Sequence, residues 1–141
     1  MASTAYDSYL DDVLAGNITK GDTYYVMLVG SGYTENKGAH TKRSDITSEV
    51  SGTGYSAGGQ AIVPTFAKDT TNHRVVVTFP QVAWPNSTIT ARKAVYYKRR
   101  GGAASADELV CVDDFGADVA TSAGTFTLSA TAITINTPAP V

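Results

Sequence analysis

The chain has 141 residues, a net charge of -2 and a charged fraction of 17%, low against the usual quarter. One domain accommodates that length, and a core of this size needs no disulfide support. The single cysteine excludes an intramolecular disulfide framework and any multi-cysteine metal site, and the slightly acidic balance argues against a protein that grips nucleic-acid backbone.

The first residues lack the basic start and apolar core of a signal peptide, and no apolar run approaches the roughly 20 residues of a membrane span. The expectation is a soluble protein made in a cytoplasm, with no membrane partner. Tyr6, Tyr9, Leu10, Val13 and Leu14 recur at helical spacing and predict a helix over residues 4–15. Thr4 is the expected cap and Gly16 the expected stop. Asp7, Asp11 and Asp12 mark the other face. Such a helix packs on its own sheet or, in part, on a neighbouring subunit.

Residues 23–29 are apolar throughout and rich in aromatic and branched side chains, which predicts a strand buried on both faces. Residues 33–59 read as a long polar loop with a helical turn beginning at Ser44 and then several glycines. Loops of that length within a domain are usually functional or disordered. Residues 60–68 form a strand whose Pro64 assigns it to an edge or a bulge. Asp69-Thr70-Thr71-Asn72 is the turn into a strand over residues 74–79. Pro80 and Pro85 bracket a short strand or bulge around Trp84. Residues 89–98 and 109–115 are strands joined through Gly101-Gly102. Residues 125–129 and 132–136 alternate cleanly and predict a hairpin with one wet face. Residues 137–141 read as an extended tail, exposed to solvent or lying on a neighbour. The sum is about seven or eight strands, so the fold class is mainly β: one antiparallel β-sandwich domain with a short N-terminal helix.

No catalytic template is satisfied. Gly30-Ser31-Gly32 lacks the third glycine of a dinucleotide loop, and Gly52 to Gly59 lack the lysine of a phosphate loop. Cys111 sits in an apolar strand and reads as a small core residue. His40 and His73 have no metal-ligand spacing. Asp113 and Asp114 are adjacent on a strand and point to opposite faces, which is no acid–base dyad. A calcium loop from Asp113, Asp114 and Asp118 follows no standard spacing. The expectation is no enzyme, no cofactor, no metal and no small-molecule substrate.

A basic stretch, Arg92, Lys93, Lys98, Arg99 and Arg100, is followed by an acidic one, Asp107, Glu108, Asp113, Asp114 and Asp118. Paired in a hairpin, the two neutralise each other. Left unpaired, they make edges suited to an oppositely charged partner. Tyr96 and Tyr97 read as sheet residues rather than a stacking platform for single-stranded nucleic acid.

Several segments occur together: Ala5-Tyr6-Asp7-Ser8-Tyr9-Leu10, then Tyr25-Val26-Met27-Leu28-Val29 before Gly32-Tyr33-Thr34. Arg43-Ser44-Asp45-Ile46 leads into Gly54-Tyr55-Ser56-Ala57-Gly58-Gly59, and Trp84-Pro85-Asn86-Ser87-Thr88 and Asp113-Asp114-Phe115-Gly116 follow. In this order the chain resembles small β-rich virion structural proteins of tailed bacteriophages. The resemblance implies a capsid decoration or cement protein assembled in the bacterial host cytoplasm and residing in the virion. A tail, head–tail connector or fibre-attachment component is the alternative, and a carbohydrate-binding sandwich using an exposed Trp84 is a further one. The implied partners are the major capsid protein and copies of the chain itself, with a trimer expected, and no nucleic acid. The partner surface expected on this reading gathers Arg92, Lys93, Lys98 and Arg99, Lys42 and Arg43 of the loop, and Tyr6 and Tyr9 of the helix.

Overall fold

The computed structural model describes residues 2–136, which form ten strands and one α-helix. In chain order these are β1 (Ala2–Ala5), α1 (Asp7–Ala15), β2 (Tyr24–Val29), β3 (Gln60–Ile62), β4 (Thr65–Asp69), β5 (Arg74–Phe79), β6 (Val82–Ser87), β7 (Thr90–Lys98), β8 (Leu109–Ala120), β9 (Gly124–Leu128) and β10 (Thr131–Asn136). The fold is mainly β, with antiparallel sheets and one short N-terminal helix, as the sequence predicts. The tail at residues 137–141 lies outside the described residues.

A five-stranded sheet runs in the order β1-β8-β7-β2-β3. Tyr24, Val26 and Leu28 of β2 point to one face, into a core shared with Tyr96, Phe79, Trp84, Phe126, Leu128 and Ile133. Met27 and Val29 point to the other, where Tyr6, Tyr33, Val95, Tyr97 and Leu109 close a second cluster beneath the loop that follows β2. Burial on both faces is what the unbroken apolar run of β2 requires. Trp84 is interior, edge-on to Phe126 at 6.0 Å, and this corrects the sugar-binding expectation that needed it exposed.

The second layer consists of two ladders, β10-β5-β4 and β6-β9. The sequence predicts that β9 and β10 pair with each other; they do not. β10 pairs with β5 and β9 with β6. The register is unbroken across both ladders, since Phe79 faces Thr131 and Val82 faces Leu128. Pro80-Gln81 therefore lie opposite Ser129-Ala130, and the four strands make one antiparallel ribbon interrupted at a proline that has no N–H to give. Residues 60–68 likewise split at Pro64 into β3 and β4, at the edges of different sheets.

The helix begins later than predicted. Ala2-Ser3-Thr4-Ala5 form β1 against β8, so Thr4 is a strand residue, and Tyr6 is the N-cap without a side-chain bond. Gly16 adopts the left-handed conformation expected at the C-terminus, with φ of 81°. The loop at 33–59 is folded against the body rather than projecting from it. Gly30 N–H donates to Ser48 O at 2.8 Å, Val50 N–H to Leu28 O at 3.0 Å and Thr88 N–H to Thr53 O at 3.0 Å. Its helical turn is a single 3-10 turn at Arg43–Asp45, where the Asp45 carboxylate accepts the N–H groups of Thr41 and Lys42.

Candidate functional site

Most of the basic stretch is paired with carboxylates within the fold. Arg43 Nε meets Asp107 at 2.7 Å, and Arg100 grips the buried Glu108 with Lys42 at 3.8 Å from the same carboxylate. Lys98 meets Asp22 at 2.9 Å, Lys93 pairs with Glu35 and also donates to Tyr33 O, and Arg92 lies 3.6 Å from Asp114 and 3.8 Å from Asp118. Arg99 stacks on Tyr25 with its guanidinium 4.4 Å from the ring centre. The hairpin of β7 and β8 supplies part of this pairing, and the loops bring Glu35, Asp22 and Arg43 to the rest.

These placements correct the expected partner surface. Tyr6, Lys93 and Lys98 are turned inward and carry internal partners, and Tyr9 is buried against the core. Arg92 and Lys42 are about one-third exposed with acidic neighbours, and Arg43 is less exposed still. The ion pairs set carboxyl ionisation. Burial pushes Glu108 up, but bonds from Arg100 and the nearby Lys42 charge outweigh it and hold it below the usual range. Glu35 with Lys93 and Asp22 with Lys98 behave alike.

Asp113 is the exception. It is fully buried and its neighbours are hydroxyls: Ser3 Oγ, Thr131 Oγ1 at 3.2 Å and Tyr96 OH at 3.2 Å donate to it. Burial outweighs those bonds and raises its carboxyl. Asp113 is committed to these hydroxyls, and Asp114 and Asp118 face Arg92, so these three aspartates do not form a calcium loop. Among the described residues no group of three or more His, Cys, Asp or Glu is placed to hold a metal ion.

One chain of hydrogen bonds crosses the second core. His40 Nδ1 accepts from the Asn36 N–H at 3.2 Å and from the Tyr33 hydroxyl at 2.9 Å, which assigns its ring proton to Nε2. Tyr33 therefore accepts from Tyr6 OH at 2.6 Å. Burial pushes Tyr33 up to about 12, so its hydroxyl keeps its proton at neutral pH. The arrangement ties α1 to the loop.

One apolar face is left open to the outside. The face of α1 is wider than the stripe its sheet covers. Tyr9 is buried, but Leu10 is 48% exposed, Val13 36% and Leu14 88%. These three line one wall of a cavity of about 630 Å³, and Phe66, Val75, Val77 and Ile135 of the β10-β5-β4 ladder line the other. The helical spacing of Leu10, Val13 and Leu14 is visible in the sequence; their exposure across a groove from the ladder is not. No helix among the described residues is long and apolar enough to cross a membrane. Comparison with family models, with curated proteins and with solved structures finds no match for this chain.

Proposed function

We propose that this chain is a non-enzymatic structural protein of tailed-bacteriophage virions, a decoration or cement protein that binds the capsid lattice in many copies. The observation that carries the docking part of this reading is the exposed apolar side of α1. Leu10, Val13 and Leu14 lie together on one helix face, and contiguous exposed apolar surface of that kind marks an interaction site. The virion and capsid part rests on the sequence resemblance. A body whose strand charges are mostly paired internally and whose long loop is tied down fits a role in which each copy adds a modest contact and many copies sum. On this reading the partner contact is apolar, centred on α1, and not the basic strand the sequence pointed to.

The test is binding of purified chain to phage particles that lack it, followed by sedimentation. The wild-type chain is expected to bind to saturation. Leu14→Glu is expected to weaken binding at least about tenfold, with its melting temperature unchanged because Leu14 makes little of the core. Equal binding by the two chains contradicts the α1 contact, and no binding by either contradicts the capsid role.

A further inference from the structure

We propose that the groove between α1 and the β10-β5-β4 ladder takes an apolar segment of a neighbouring protein that carries carboxylates at its flank. The proposal rests on the docking role given to α1 above and names the chemistry of the partner that fits there.

The walls set the apolar part. Leu10, Val13 and Leu14 stand on one side of the groove, and Phe66, Val75 and Ile135 on the other. Phe66 and Lys68 are two apart on β4 and therefore share a face of the ladder. The register places Lys68 beside Val75, and Val75 beside Ile135. These three residues form one row across the ladder, apolar except at its β4 end. A segment lying along that row meets two branched side chains and then a cation.

The charges set the rest. Among the described residues, every lysine and arginine except Lys20, Lys68 and Arg99 meets a carboxylate. Arg99 is stacked on Tyr25. The two that remain are exposed, and both border the groove: Lys20 lines it, and Lys68 ends the row of Val75 and Ile135. Unpaired cations at the rim of an open apolar groove are complementary to an occupant that brings carboxylates. The helix has the opposite sign, with the exposed Asp11 about 100° around it from Leu10. An occupant is thus oriented, its carboxylates toward Lys20 and Lys68 and away from Asp11. The groove is continuous with the exposed face of α1, so this segment and the lattice contact belong to one partner.

The test is sedimentation of the purified chain with phage particles that lack it, at about 50 mM and about 500 mM salt. Lys20→Glu and Lys68→Glu are each expected to bind about fivefold more weakly than wild type at the lower salt, and within about twofold of it at the higher. Their melting temperatures should not change, because both side chains are exposed. Lys37→Glu reverses an exposed charge that lines no part of the groove and is expected to bind as wild type does. If the groove variants bind like wild type while Leu14→Glu does not, the acidic partner is overturned and the α1 contact stands. An equal loss in Lys37→Glu also overturns it, because net charge alone then explains the effect. Failure of the wild-type chain to bind removes the docking role and this proposal together. A dimer of the chain alone in analytical ultracentrifugation, split by Leu14→Glu, assigns the groove to a second copy and overturns the proposal.

Discussion

The hydroxyl of Tyr55 accepts the backbone N–H of Leu28 at 3.1 Å, at the point where β2 changes partners. β3 covers Tyr24 to Val26, and the loop segment at Glu49 and Val50 covers Val29 and the Leu28 carbonyl. The Leu28 N–H falls between the two. Tyr55 also donates to the Glu49 carboxylate at 2.6 Å, and Glu49 accepts the Gly58 N–H at 2.7 Å. One side chain thus closes the sheet edge and ties down the long loop. Tyr55→Phe keeps the ring against Trp84 but leaves a buried donor unmet. We expect a loss of about 1–3 kcal/mol in urea unfolding. A loss below about 0.5 kcal/mol would mean the loop is held elsewhere.

Gly59 sits where the same loop crosses β2, with φ of 80°. A Cβ there would lie 1.8 Å from the Val26 carbonyl oxygen, a backbone atom with no room to retreat. Gly59→Ala is expected to prevent stable folding. Gly101→Ala is the control: its φ is 86° but nothing lies within 4 Å of the added atom. It should cost only the conformational penalty of about 1–2 kcal/mol. Similar melting temperatures for the two variants would contradict the close crossing.

Asp113 and Glu108 are predicted to respond to pH in opposite ways. The Glu108 carboxyl is held below its ordinary 4.5 by Arg100 and Lys42 despite burial, so its contribution is complete above that value. It is lost as pH falls through the lower folded value. Glu108→Gln should cost about 2 kcal/mol at neutral pH, and the difference from wild type should shrink in acid.

Burial raises Asp113 above its ordinary 3.8, so the folded chain holds that proton more tightly than the unfolded chain. Its contribution is largest below 3.8 and declines as pH rises toward the folded value. Asp113→Asn, with Ser3, Thr131 and Tyr96 still able to bond the amide, is expected to equal or exceed wild-type stability at pH 7. The advantage should vanish toward pH 4. A marked loss at neutral pH would show that the ionised carboxylate is the favoured form.

The sequence made the faces of strands legible but not their partners. Alternation in residues 125–129 and 132–136 correctly turned Phe126, Leu128 and Ile133 inward. It contained nothing to say that they belong to a ribbon with β5 and β6, because a period of two is the same whichever strand lies alongside. β1 was missed because Ala2-Ser3-Thr4-Ala5 has no apolar pattern; its place is set by the free edge of β8. The Asp69 turn was legible because its chemistry is local: Asp69 accepts the N–H groups of Thr71 and Asn72.

Charges were the least legible feature. A lysine in a strand reads as surface, and only the folded loop reveals that Lys93 lies inside against Glu35. The helix was the reverse case. Its apolar spacing predicted burial for Leu14, which is 88% exposed at the groove between α1 and the β10-β5-β4 ladder.

The proposed role is tested most directly by the number of copies of this chain in washed, purified virions, measured by quantitative mass spectrometry against the major capsid protein. Many copies in a simple fixed ratio to the capsid subunit are expected. A few copies per particle would contradict the cement role in favour of a tail or vertex component, and absence from the particle would contradict a virion role altogether.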